Sequence, residues 1–254
     1  MKIKVIASGS KGNSTLIESK GTKILIDVGV NYQRIKKTLD NNNIDINEID
    51  GIIISHTHSD HIGGLSSVIK KINTKVFIKE ELFGEIKKII NIDNIEIVED
   101  KFVTIGNLDI EYITASHDVP AYGFIIGDGE KRVLYLTDTG YINRKYYEIS
   151  KNLDAYIIES NHDEKMLMDG PYPYILKQRV ISDKGHLSNR YTGKYLNKTI
   201  GKNTKYIILA HLSEKNNTRE LALEQVKDEL KDNKYFNNNI IIANQHEETE
   251  LVVI

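Results

Sequence analysis

Ser55-His56-Thr57-His58-Ser59-Asp60-His61 is entered from the apolar run Ile52-Ile53-Ile54 and left through Gly63-Gly64. It packs four metal-competent side chains, His56, His58, Asp60 and His61, into six consecutive positions. In an extended segment residues two apart point the same way, so His56 and His58 can grip one ion from the same side. Asp60 and His61 fall where the chain turns into a helix, which swings them toward a second ion beside the first. Only 8 of the 254 residues are histidine. A chance match of this kind is expected in roughly one such sequence in two thousand, so a solvated polar turn is a poor account of it.

The rest of the composition narrows which metals suit the segment. The chain contains no cysteine, which excludes a disulfide framework and any thiolate ligand. A bound ion must therefore accept imidazole nitrogen and carboxylate oxygen, and zinc, manganese and iron all do. An apolar content of 40% is ordinary for a globular protein, and a single domain over residues 1–254 is the expectation for this length. Met1-Lys2-Ile3-Lys4 leads straight into a strand-like run, and no apolar stretch approaches the length of about 18 residues that marks a membrane span. A soluble cytoplasmic protein without a membrane partner is expected.

Net charge is −2, yet it is unevenly spread. Between residues 165 and 205 nine cations face only Asp169 and Asp183, a local balance of +7. Tyr172, Tyr174, Tyr191 and Tyr195 are interleaved with them. Such a mixture can track phosphates and stack on bases, although a solvated lysine-rich helix face reads equally well. Lys165, Arg179, Lys184 and Arg190 are the candidates for contacts with a nucleic-acid backbone.

β-rich runs recur at Ile3–Ala7, Thr15–Glu18, Lys23–Asp27, Ile52–Ile54, Lys75–Ile78, Leu108–Thr114, Tyr122–Ile126, Val133–Thr137, Ala155–Glu159, Tyr206–Leu209, Ile240–Ala243 and Leu251–Val253. Helical patterns lie between them, clearest at Arg219–Lys231 with Thr218 as its N-cap. Weaker ones are Tyr32–Leu39, Ile62–Ile72, Glu80–Ile90, Arg144–Lys151, Pro173–Ile181 and Ser188–Ile200. Several strands are apolar on both faces, which suits sheets enclosed by helix layers, an α/β sandwich. No internal repeat and no linker is visible.

Further potential ligands follow strand-like runs: His117, Asp138 and His211. With His56, His58 and His117 on one ion and Asp60, His61 and His211 on the other, Asp138 is placed to bridge two divalent cations. This set of motifs resembles the metallo-β-lactamase superfamily. The resemblance implies an αββα four-layer sandwich, and it matches Asp27, in Ile24-Leu25-Ile26-Asp27-Val28-Gly29, to an acidic residue that supports the site from behind the ligands.

Further motifs are similar to those of the YycJ/WalJ (VicX) group: Ser8-Gly9-Ser10-Lys11-Gly12-Asn13-Ser14, Glu159-Ser160-Asn161-His162-Asp163, Gly170-Pro171-Tyr172-Pro173, Gly185-His186-Leu187-Ser188-Asn189, and His211-Leu212-Ser213. This likeness implies a divalent-metal hydrolase with 5′-exonuclease activity on DNA. The Ser8–Ser14 stretch lacks the Gly-Lys-Ser/Thr ending of a P-loop and is read as a tight turn, with Ser10 and Asn13 as turn formers first and reach to the site as the lesser alternative.

Paired ions lower the pKa of bound water from about 15.7 to about 7, so the nucleophile is expected to be solvent, ligated and oriented through Asp60. His186 is the candidate for contacting the scissile phosphate or protonating the leaving group. Glu159 is placed to orient His186 or a ligand. His162 is not counted as a ligand and is expected in the substrate groove or exposed. Two other functions compete: a small-molecule hydrolase of the same fold acting on a thioester, lactam or cyclic phosphodiester, and a metal-stabilised signalling partner without catalysis. Fold alone does not choose among them.

Overall fold

Residues two apart along the strands go to the same apolar cluster, and that alternation builds the layers. Ile24, Ile26 and Ile53 enter a core shared with Val133, Tyr135, Ile157 and Ile208. Leu25, Ile52 and Ile54, one residue out of phase, pack into a second cluster, and Leu134, Tyr156, Ile158 and Leu209 into a third. Strands apolar on both faces are thus buried on both faces, and each fully buried Ile or Leu contributes about 1.5–3 kcal/mol.

The computed structural model describes residues 1–254. The first half runs β1 (Lys2–Ala7), β2 (Ser14–Ser19), β3 (Thr22–Ile26), α1 (Tyr32–Asn41), β4 (Gly51–Ile53), α2 (Ser59–Ile62), α3 (Leu65–Ile69), β5 (Lys75–Ile78), α4 (Glu80–Ile86) and β6 (Ile95–Ile97). The second runs β7 (Phe102–Ile105), β8 (Leu108–Thr114), β9 (Tyr122–Gly127), β10 (Arg132–Leu136), β11 (Ala155–Glu159), α5 (Glu164–Asp169), α6 (Tyr174–Ile181), α7 (Asn189–Thr199), β12 (Tyr206–Ala210), α8 (Arg219–Leu230), β13 (Ile240–Ile242) and β14 (Val252–Val253).

Two seven-stranded sheets result, ordered β14-β1-β2-β3-β4-β5-β6 and β13-β12-β11-β10-β9-β8-β7. In the first, β14 through β3 pair antiparallel and β3 through β6 parallel. In the second, β7 through β10 pair antiparallel and β10 through β13 parallel. The sheets therefore repeat one pairing scheme, a duplication invisible in the sequence. Cluster one lies between the sheets, cluster two includes Ile35 and Leu39 of α1, and cluster three includes Leu196 of α7 and Val226 of α8. The expected αββα sandwich is the observed architecture.

Three expectations need correction. Of the helix read over Ile62–Ile72 only Leu65–Ile69 forms as α3, while Ile62 ends α2 and Gly64 between them lies against the Val30 carbonyl oxygen, which a Cβ would meet at 1.8 Å. Arg144–Lys151 forms a 3-10 turn at Arg144–Tyr146 followed by turns. Strands β6 and β7 and helix α5 were not anticipated; β6 is half-exposed and too short for alternation to register. The caps were legible: the Ser188 and Thr218 side chains accept from the N–H groups of Tyr191 and Leu221. No helix is long and apolar enough to cross a membrane.

Candidate metal centre

The predicted donors gather at the carboxyl ends of the parallel strands, where crossover loops diverge and leave a crevice. Asp27 follows β3, His56 lies beyond β4, Asp138 beyond β10, Glu159 closes β11, and His211 follows β12. Asp27, Asp138 and His211 hold left-handed backbone, with φ of 59°, 55° and 55°. Each such conformation costs on the order of 1 kcal/mol, and it turns the side chain out of the strand direction into the crevice. For His211 the backbone N–H is held by Ser8 Oγ at 2.7 Å. Gly29 admits the chain behind the site: a Cβ there would meet the Asp60 carbonyl oxygen at 1.7 Å.

His56, His58 and His117 form one group whose nitrogens lie within 4.8 Å of one another. Asp60, His61, Asp138 and His211 form a second on the same criterion. His61 Nε2 is 3.1 Å from Asp138 Oδ2 and 3.5 Å from Asp60 Oδ2. His211 Nε2 is 3.4 Å from Asp60 Oδ2 and 3.5 Å from Asp138 Oδ1. The groups adjoin, with the His56 and His61 rings 4.0 Å apart. All seven residues expected to ligate are brought together.

The residues behind them fix which nitrogen of His56, His61 and His211 stays free. Asp27 Oδ2 accepts from His61 Nδ1 at 2.7 Å and from Ser55 Oγ at 2.8 Å. Since the Ser55 hydroxyl proton goes to Asp27, His56 Nδ1, at 3.0 Å, donates to Ser55 Oγ. Glu159 Oε1 accepts from His211 Nδ1 at 3.0 Å and from His186 Nδ1 at 2.7 Å. His56, His61 and His211 thus carry a proton on Nδ1 and leave Nε2 for an ion, the usual support of a metal-binding histidine. His56 Nε2 is buried without any hydrogen-bond partner. An orphaned imidazole nitrogen amid oxygen and nitrogen donors fits a divalent cation such as zinc or manganese.

Electrostatics point the same way. Burial alone would lower His61, but the Asp138 and Asp27 carboxylates outweigh it and raise its pKa to about 10. His211 is likewise raised against burial by Asp138, Asp60 and Glu159. Burial would raise Glu159, yet His186 and His211 hold it down to about 2. His56 goes the other way, lowered by burial and by the His61 charge. The carboxylates therefore create a demand for positive charge in a buried crevice, which metal cations meet.

The remaining candidates divide. His186, with Lys184, Arg179 and Ser10, borders a cavity of about 210 Å³ that also touches His117 and His211. Arg179 pairs with Asp118, whose Oδ1 is 3.3 Å from His58 Nε2. Arg190 turns away and pairs with Glu229 of α8 at 3.3 Å, and Lys165 is exposed on α5 away from that cavity. Of the four expected phosphate contacts, Arg179 and Lys184 thus line this cavity and Lys165 and Arg190 do not. His162 is only 2% exposed, which rules out the exposed alternative. Asn13, expected first as a turn former with reach to the site as the lesser alternative, has its Nδ2 3.2 Å from Asp60 Oδ2 and 2.9 Å from His61 Nε2. Nothing local marks it, since the contact spans 47 and 48 positions of chain. Ser55, adjacent to His56, was legible as a small polar residue but not as the relay to Asp27.

Residues 7–211 match the family model of the metallo-beta-lactamase superfamily, and the chain belongs to that superfamily. It is accordingly a hydrolase of this fold. Within the superfamily the likeness to the WalJ and YycJ group extends along most of the chain. The exodeoxyribonuclease WalJ of Streptococcus pneumoniae serotype 2 is 37% identical over 230 residues, 87% of this chain and 85% of that protein. The exodeoxyribonuclease YycJ of Bacillus anthracis is 33% identical over 237 residues, 90% of this chain and 88% of that protein. Among solved structures, the metallo-beta-lactamase fold protein YhfI from Bacillus subtilis superposes with a TM-score of 0.74 at 19% identity, covering 98% of this chain and 99% of that one, a likeness of fold.

Proposed function

We propose that the protein is a binuclear metal-dependent phosphodiesterase, a 5′-exonuclease on DNA. The observation that carries this reading is the pair of adjoining donor groups in which Ser55, Asp27 and Glu159 hold Nδ1 of His56, His61 and His211 and free Nε2. The similarity to two exodeoxyribonucleases supplies the substrate class. His56, His58 and His117 would hold one ion, Asp60, His61 and His211 the other, and Asp138 both. Such a pair supplies Lewis acidity toward a phosphate and activates water.

The chain's own residues do the rest. Asp60, partly open to solvent, orients the attacking water as acceptor of its proton, and Asn13 Nδ2 steadies that carboxylate from behind. His186 is held at Nδ1 by Glu159, whose carboxylate outweighs burial and raises the imidazole pKa, so the charged ring carries a second proton on Nε2 and gives it to the leaving 3′-oxygen. Lys184 and Arg179, at the mouth of the same cavity, meet the flanking phosphates.

The test incubates metal-stripped protein with manganese or zinc and end-labelled single- or double-stranded DNA, alongside Asp60→Ala. Release of mononucleotides from 5′ ends that disappears in the variant is expected. Equal release by both proteins identifies a contaminating nuclease, and inertness toward every polymer moves the assignment to a small-molecule hydrolase.

A further inference from the structure

His186 is a party wall. On one side it borders the donor groups and the cavity of Lys184 and Arg179; on the other it borders a larger cavity of about 870 Å³ formed by the segment after β10, α5, the end of α6 and the start of α7. That second cavity holds a concentration of aromatic and apolar side chains that the catalytic reading leaves unused. Tyr141 and Tyr191 are 45% and 59% exposed, and Met168 and Ile181 are 45% and 44% exposed, all lining this one space. Tyr147 completes the aromatic rim. Cations of α7 stand against two of the rings, Lys194 5.1 Å from the Tyr191 centroid and Lys198 5.8 Å from that of Tyr147.

At the wall lies His162, 2% exposed, its Nδ1 without a hydrogen-bond partner. Burial keeps that imidazole neutral, its pKa pushed down to about 4, so it offers one donor and one acceptor. Flat faces around an uncharged hydrogen-bonding edge, with Arg144 set among the carboxylates Glu164 and Asp183 and lysines beside two of the rings, suit a planar heterocycle rather than a phosphate inside the cavity.

We infer that this cavity is a base-binding subsite, and that it takes the nucleobase of the 5′-terminal nucleotide, the one that is released. The inference rests on the phosphodiesterase reading and on His186 as donor to the leaving group. Hydrolysis breaks the bond between phosphorus and the 3′-oxygen and forms a new bond from phosphorus to the water oxygen. The proton from His186 goes to that 3′-oxygen, so the phosphate stays on the following nucleotide. The nucleoside carrying the 3′-oxygen must then lie on the His186 side of the scissile phosphate, where the cavity opens. Seating one base there favours attack at a chain end over attack within a strand.

Calorimetric titration of the metal-loaded protein with deoxyadenosine 5′-monophosphate and with 2-deoxyribose 5-phosphate tests this. The nucleotide is expected to bind at least about fivefold tighter, the lower limit for one stacked base. Tyr191→Ala and Tyr141→Ala, both on the surface, remove most of that difference, while Tyr191→Phe keeps it because the ring does the stacking. His162→Ala weakens the nucleotide but not the sugar phosphate. Equal affinities for the two ligands, or a preference unchanged in the Tyr141→Ala/Tyr191→Ala double variant, overturn the subsite. The two readings fail separately: base-dependent binding without DNA cleavage removes the phosphodiesterase and keeps the subsite, and cleavage with base-independent binding does the reverse.

Discussion

Replacing Asp27 by asparagine exchanges one oxygen for a nitrogen, and the outcome follows from what each oxygen serves. Oδ1 accepts the Ser55 backbone N–H at 2.8 Å. Oδ2 faces His61 Nδ1 at 2.7 Å, Ser55 Oγ at 2.8 Å and Tyr135 Oη at 3.2 Å. Because Oδ1 must remain an acceptor for a buried N–H, the amide nitrogen of Asp27→Asn takes the Oδ2 place and presents hydrogens to three former donors. His61 then has to accept at Nδ1 and carry its proton on Nε2, the nitrogen that points at Asp138. A protonated nitrogen cannot ligate. Loss of such support costs about 10–100-fold in metal affinity, which is about 1.4–2.7 kcal/mol. Stranded buried hydroxyl donors remove about 1–3 kcal/mol of fold stability as well. Competition with a chromophoric chelator gives Kd for zinc and manganese, and thermal denaturation gives stability. Tyr135→Phe is the control, since it removes one donor to the same oxygen while leaving the His61 tautomer intact, and its Kd should stay near that of the wild type. An unchanged Kd in Asp27→Asn refutes the tautomer argument, and an equal loss in Tyr135→Phe would trace the effect to packing.

Other perturbations separate the remaining roles. His186→Ala lowers kcat for DNA hydrolysis about 10²–10⁴-fold and leaves metal affinity close to wild type, which steady-state kinetics and the chelator assay read together. Lys184→Ala reduces the slope of log affinity against log salt by about 0.7–0.9, the value of one phosphate contact, whereas Arg190→Ala, a cation outside the cavity that faces α8, leaves the slope unchanged. Asp128 stands far from the centre: burial would raise its carboxyl, but Ser19 and the backbone N–H groups of Lys131 and Glu130 hold it down to about 2 from an ordinary 3.8. A depressed folded pKa gives stability that is complete above the unfolded value and lost as pH falls through the folded one. The denaturation midpoint should therefore drop between about pH 4 and pH 2, and drop less in Asp128→Asn.

The local sequence determined a great deal here because the donors are dense and the strands alternate. His56, His58, Asp60 and His61 sit within one strand-to-helix junction, so backbone geometry alone aims them, and apolar runs such as Ile52–Ile54 announce strands covered on both faces. His117, Asp138 and His211 were readable as residues just past such strands, since parallel strands end on the same side. What the sequence could not carry is contact between segments far apart in the chain. Asn13 meets Asp60, Ser55 relays to Asp27, and Arg190 points at Glu229 rather than at the crevice only once strands and helices distant in the chain pack side by side. Helix phase decided which cations face the site, and left-handed turns at Asp27, Asp138 and His211 decided where their side chains aim. Residue type fixes what a side chain can do; packing over tens to hundreds of positions fixes which partner it meets, and only the tertiary structure contains that second term.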